Sequence, residues 1–106
     1  MNTGDIVLVR YPFTDLWSEK LRPALVLLEE DYEGDFLLAF ITSSSLRKGD
    51  YDIPISKSGT GLHKDSVLRL KKIMAIHKSL IAGRIGSVST EQLAGIKEKL
   101  RDMLEL

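Results

Sequence analysis

Leu21-Arg22-Pro23-Ala24-Leu25-Val26-Leu27-Leu28 joins one cation to a run of aliphatic residues. A short apolar run bounded by polar sequence reads as a central β-strand. Proline has no N–H to give to a ladder, so Pro23 belongs near the strand's start and not in its middle. Arg22 is thereby set where a loop becomes a rigid strand, a good place to hold a guanidinium still. A second run, Asp35-Phe36-Leu37-Leu38-Ala39-Phe40-Ile41, ends in Thr42-Ser43-Ser44-Ser45. If the two strands are neighbours, Arg22 and Thr42 converge at one rim of a sheet.

Before this stretch, Gly4-Asp5 is a turn that leads into a strand from Ile6 to Tyr11. Ile6, Leu8 and Arg10 share one of its faces, and Val7, Val9 and Tyr11 the other. Both faces are mostly apolar, so both are expected to be covered. Pro12 ends it, and Phe13 to Leu21 is a polar loop that contains Trp17. Trp17 is either a lid folded back on the core or a platform for stacking a base. After the strand, the acidic residues Glu29 to Gly34 form a hairpin turn. Arg47 and Lys48 lie in the polar loop from Thr42 to Asp50. Tyr51 to Ile55 alternates and contains Pro54, the mark of an edge strand. Ser66 to Ile76 is a long strand: the alternation of Ser66-Val67-Leu68-Arg69-Leu70 outweighs the competing helical spacing. Alternation carried through its length puts Val67, Arg69, Lys71 and Ile73 on one face, and Leu68, Leu70, Lys72, Met74 and Ile76 on the other. Ile81 to Ser87, with Gly83 and Gly86, is a turn or a short strand.

Ser89-Thr90-Glu91-Gln92 is a capping box, in which Ser89 and Gln92 satisfy each other's free backbone N–H groups. The helix it opens carries Leu93, Ile96, Leu100, Met103 and Leu104 as one apolar stripe. Five strands with short connections and a terminal helix predict a mainly β (α+β) fold. The expected form is a small SH3-like barrel of antiparallel strands with a C-terminal helix, one domain over residues 1–106.

Composition narrows the function classes. Hydrophobic content of 43% and charged content of 28% are ordinary for a globular protein. No apolar run is long enough to span a membrane. Met1 to Asp5 leads straight into strand-like sequence, so a signal peptide is not expected and a cytoplasmic location is. Cysteine is absent, which removes disulfides and thiol catalysis. The formal net charge is zero, which argues against indiscriminate nucleic-acid binding. Its distribution is uneven, however: residues 47–84 hold nine Lys or Arg against three Asp. A neutral chain with that asymmetry can still present one basic face; charge alone equally permits scattered solvated groups.

Familiar catalytic motifs are missing: no nucleophile elbow, phosphate loop, zinc-protease helix or dinucleotide fingerprint. His63 sits in a Gly-flanked loop, and His77 closes a strand. Two histidines without a nearby carboxylate pair predict no metal site, and no cofactor is expected. What remains is Arg22 with Thr42 and Ser43. An arginine fork matches phosphate oxygens, and a threonine hydroxyl can donate or accept. Such a pair suits phosphoryl chemistry that needs positioning and charge stabilisation more than a strong base. Cleavage of RNA by its own 2′-hydroxyl is a reaction of that type.

Five segments in order carry a resemblance: Gly4-Asp5-Ile6-Val7; Leu21 to Leu27; Ile41-Thr42-Ser43; Gly61-Leu62-His63-Lys64-Asp65-Ser66-Val67; and Ile85 to Ser89 with Leu93. From residue 4 to about 104 the chain resembles the MazF/PemK toxins of type II toxin–antitoxin systems. The resemblance implies an SH3-like barrel with an added helix, homodimerisation, and metal-independent cleavage of single-stranded RNA at short sequences. It also implies neutralisation by a cognate antitoxin, whose acidic tail lies across the RNA groove. Arg22 matches the family's catalytic arginine and Thr42 its catalytic threonine, which orients the phosphate. A guanidinium keeps its proton at working pH, which favours an electrostatic role for Arg22 over that of a base. Ser66 matches a position near the site and the dimer contact, and Ser43 and Arg69 are carried with it as RNA-binding candidates. Many relatives carry Gly-x-Glu-Gln before the arginine. Here Trp17, Ser18, Glu19 and Lys20 occupy that loop, with Glu19 at the acidic position and no Gln after it. These four are the remaining RNA-binding candidates. Gyrase-poisoning toxins share the fold and bind a protein instead, leaning on C-terminal residues, so a non-enzymatic toxin acting on DNA gyrase stands as the alternative. Phe13, Trp17 and the strand near Pro54 are the candidate dimer-interface pieces.

Overall fold

The computed structural model describes residues 1–11, 20–43 and 49–106. Six strands and one helix follow in order: β1 (Asp5–Tyr11), β2 (Lys20–Leu28), β3 (Asp35–Thr42), β4 (Asp52–Ile55), β5 (Ser66–His77), β6 (Ile81–Ser87) and α1 (Thr90–Leu104), with a 3-10 turn at Lys78–Leu80. The strands form one sheet in the order β4-β5-β3-β2-β1-β6, every neighbouring pair antiparallel. The mainly β fold with a C-terminal helix is as expected. The two end strands do not pair with each other, so the sheet is open and the term barrel holds only loosely.

Alternation along β1 sorts its side chains as the sequence implies. Ile6 joins a core with Leu25, Ala39, Ile41, Ile55, Leu68 and Leu70, which α1 covers through Leu93, Ile96, Leu100 and Met103. Val7 and Val9 join a second core on the other face, with Ala24, Val26, Phe36, Leu38 and Ile76. Both faces of the central strands are thus dry, which is why β1 and β2 are apolar on both sides. Leu104 leaves the predicted stripe: it is 55% exposed, because Met103 already fills the last core seat.

The helix start is the predicted capping box. Ser89 Oγ accepts from the Gln92 N–H at 3.1 Å, and Gln92 Oε1 accepts from the Ser89 N–H at 2.8 Å. β4 pairs on one side only, so Pro54 sits on a sheet edge where its missing donor costs nothing. No helix among the described residues is long and apolar enough to cross a membrane.

Two expectations change. Ile81–Ser87 is a full seven-residue strand, which makes six strands and not five. Its glycines serve packing: a Cβ on Gly86 would lie 1.9 Å from the Thr60 carbonyl oxygen, so the 60–61 turn is seated directly on the β6 backbone. The side-chain alternation of β5 also breaks. Ala39 pairs with Ile73 and Ile41 with Leu68, so Phe40 alone faces four residues of β5. Three extra residues, an odd number, reverse the alternation. Leu68, Leu70 and Ile73 therefore pack on the same core, while Ile76 belongs to the opposite one.

Candidate functional site

Arg22 is the third residue of β2, and Thr42 the last of β3. The two strands pair antiparallel with Ala24 opposite Phe40. Two residues further out along both strands, that register sets Arg22 across from Thr42. The pairing step keeps both on the face of Ala24 and Phe40. There they share a cavity of about 470 Å³ with Tyr11, Phe40, Ile41, Arg69, Lys71, Lys72, Ile73 and Met74.

An aromatic floor supports the cations. Tyr11 and Phe40 meet with ring centroids 5.9 Å apart. The Arg22 guanidinium carbon lies 5.4 Å from the Tyr11 ring centroid, the geometry of a cation–π contact. On the far wall the Lys71 ammonium stands 5.9 Å from the Tyr51 ring centroid. Arg69 Nε lies 3.6 Å from Asp52 Oδ1, across the β4–β5 pair. The other oxygen of Asp52 accepts from the Gly49 N–H at 2.8 Å, which fixes the carboxylate. Among the described residues Arg22, Lys71 and Lys72 have no ion-pair partner. Among the described residues the cavity therefore carries four cations, with the Asp52 carboxylate beside Arg69, in a chain of zero net charge.

Not every candidate gathers here. Arg69 lines the cavity together with Arg22 and Thr42. Lys20 and Ser43 are exposed next to its strands but do not line it. Ser66 is buried opposite Ile55; its hydroxyl donates to the Lys64 carbonyl at 2.8 Å, a role within its own turn. Trp17, Ser18 and Glu19 lie outside the described residues, as does Phe13. His77 caps the 3-10 turn, accepting from the Ser79 N–H through Nδ1 at 3.1 Å, and His63 is exposed in its loop. Sequence reasoning missed Tyr11, Phe40, Lys71, Lys72 and Met74 as lining residues. The parity of β1 and β3 puts Tyr11 and Phe40 on the right face, but only the sheet order brings them beside Arg22.

No group of three or more His, Asp or Glu side chains among the described residues is placed to hold a metal ion. The residues present can instead bind a polyanion: a fixed fork at Arg22, a hydroxyl across from it, further cations along β5, and ring faces between them.

The sequence model of the PemK-like, MazF-like toxins of type II toxin–antitoxin systems matches residues 2–104. Searching curated protein sequences finds no match. The toxin MazF-mt6 of Mycobacterium tuberculosis superposes with a TM-score of 0.78 at 21% identity, over 96% of this chain and 97% of that one. MazF of Deinococcus radiodurans, from a MazE–MazF crystal, gives 0.81 at 17% identity over 100% and 96%. A mycobacterial endoribonuclease in complex with its cognate antitoxin gives 0.79 at 15% identity over 100% and 96%. At these identities the structural likeness speaks for the fold.

Proposed function

Since this chain belongs to the PemK-like, MazF-like toxins of type II toxin–antitoxin systems, we propose that it is an endoribonuclease that cleaves single-stranded RNA without a metal ion. The observation that carries this reading is the basic cavity shared by Arg22 and Thr42. The substrate brings its own nucleophile. The 2′-oxygen attacks the adjacent phosphorus, the 2′-O–P bond forms, and the P–O5′ bond breaks. The hydroxyl proton passes to water, the departing 5′-oxygen takes one from water, and a 2′,3′-cyclic phosphate remains. Arg22 holds the non-bridging oxygens and offsets the charge that builds on them. The Thr42 hydroxyl orients the same phosphate. Both tasks need rigid placement. Strand ends and a ring beneath the guanidinium supply it.

The toxin acts as a homodimer in the cytoplasm, and a cognate antitoxin with an acidic tail neutralises it. A negatively charged segment is the complement of the cations along this cavity. Complexes with an antitoxin among the similar structures agree with such a partner.

The test is incubation of purified protein with a single-stranded RNA in EDTA, with mapping of the new ends. Cleavage with cyclic phosphate ends, abolished in Arg22→Ala, is the expected result. Equal rates for wild type and Arg22→Ala would remove Arg22 from the mechanism. Absence of cleavage together with capture of DNA gyrase would favour the non-enzymatic alternative.

A further inference from the structure

Neighbouring residues of a regular strand point to opposite faces. Lys71 and Lys72 do not. Leu70 and Ile73 both enter the core under α1. The two residues between them both line the Arg22 cavity on the other face. The bulge opposite Phe40 is what re-aims them. Bulges of this kind occur beside active sites, where they redirect side chains.

We propose that the β5 bulge builds a second phosphate subsite, in which Lys71 and Lys72 bind the phosphate flanking the one held by Arg22 and Thr42. The inference rests on the RNA-cleavage reading above. β2 and β5 are separated by β3 alone, so their backbones lie roughly 10 Å apart and the two cation groups line one cavity from different strands. A single strand crossing the sheet through this cavity can present one phosphate to each group. Lys71 is held by the Tyr51 ring, and neither lysine is neutralised by a carboxylate among the described residues. Arg69, by contrast, is already engaged by Asp52, so it adds less. Phe40, on the strand between the subsites, gives the intervening base an apolar surface. Both lysines are exposed and belong to neither core, so their replacement leaves the fold intact.

The experiment uses a fluorescent single-stranded 2′-O-methyl oligonucleotide, which lacks the nucleophile, and measures anisotropy over a salt series. The double variant Lys71→Ala/Lys72→Ala is expected to bind roughly tenfold or more weakly. The slope of log affinity against log salt should fall in magnitude by about 0.7, the value for one phosphate no longer neutralised on a single strand. Lys71→Arg/Lys72→Arg should restore both. On cleavable RNA, KM should rise by more than kcat falls. Unchanged affinity and slope in the double alanine variant would overturn the subsite, whatever the cleavage result. Lysine-dependent binding without cleavage by wild type would keep the subsite and sink the nuclease reading. Lack of binding by wild type would overturn both.

Discussion

The guanidinium of Arg22 sits over the ring of Tyr11, 5.4 Å from carbon to centroid. Tyr11 is in turn braced by Phe40. An arginine at a strand end has many rotamers, and a ring face beneath it removes most of them. Such contacts are worth about 0.5–2 kcal/mol depending on exposure. Under the proposed chemistry, Tyr11→Leu should lower kcat by roughly three- to tenfold, and Tyr11→Phe should keep it near wild type. Steady-state kinetics on a short RNA decide the matter. A Tyr11→Leu protein with undiminished kcat would show that the ring does not orient Arg22.

That relationship shows where sequence reading stops. Which face Tyr11 occupies follows from the period of two along β1, as the burial of Val7 and Val9 confirms. Its nearness to Arg22 follows from pairing register, which sequence periodicity does not encode. The two lysines are a harder case. Strict alternation sends Lys71 and Lys72 to opposite faces, and a bulge opposite Phe40 reverses that. No residue in the stretch marks the bulge, because it holds neither glycine nor proline. β6 was ambiguous for the opposite reason: Gly83 and Gly86 look like punctuation, yet Gly86 lies inside a strand where another turn crosses its backbone. The capping box at Ser89, by contrast, is local chemistry and was legible in full.

Thr42 tests the hydroxyl separately from the cations. Thr42→Val keeps the shape and the β-branching that suits a strand, and removes one donor. Loss of a single positioned donor typically lowers kcat by roughly 100-fold. Thr42→Ser should retain most of the activity. If Thr42→Val turned over RNA at the wild-type rate, the role proposed for this hydroxyl would have to pass to another group.

Gly86 and Gly83 make a matched pair for stability. A methyl on Gly86 would overlap the Thr60 carbonyl oxygen, and the facing atom is backbone, which cannot swing aside. A methyl on Gly83 meets nothing within 4 Å. Gly86→Ala should therefore cost about 3 kcal/mol or more. Gly83→Ala should be neutral or slightly stabilising, since it restricts the unfolded chain. Urea denaturation of both variants measures the difference. Equal midpoints would mean that the 60–61 turn is not seated on β6 as described.

Asp5 ties the first strand to the last. Burial alone would push its carboxyl upward. The Asn2 N–H at 2.7 Å, the Arg84 guanidinium at 3.1 Å and the N-terminal amine outweigh that and hold it below its ordinary value of 3.8. A carboxylate depressed in the folded state adds stability above its unfolded value, and that share fades as pH falls through the folded one. Asp5→Asn keeps the size and one acceptor oxygen but loses the charge. At about pH 7 it should cost roughly 1–2 kcal/mol, the scale of a charge-assisted hydrogen bond to a half-exposed arginine. The gap to wild type should narrow below about pH 4 and close once Asp5 is protonated in the folded protein as well. Denaturant midpoints of both proteins across that range check it. A gap that stays constant down to about pH 2 would assign the loss to packing at the β1–β6 junction and not to the ion pair.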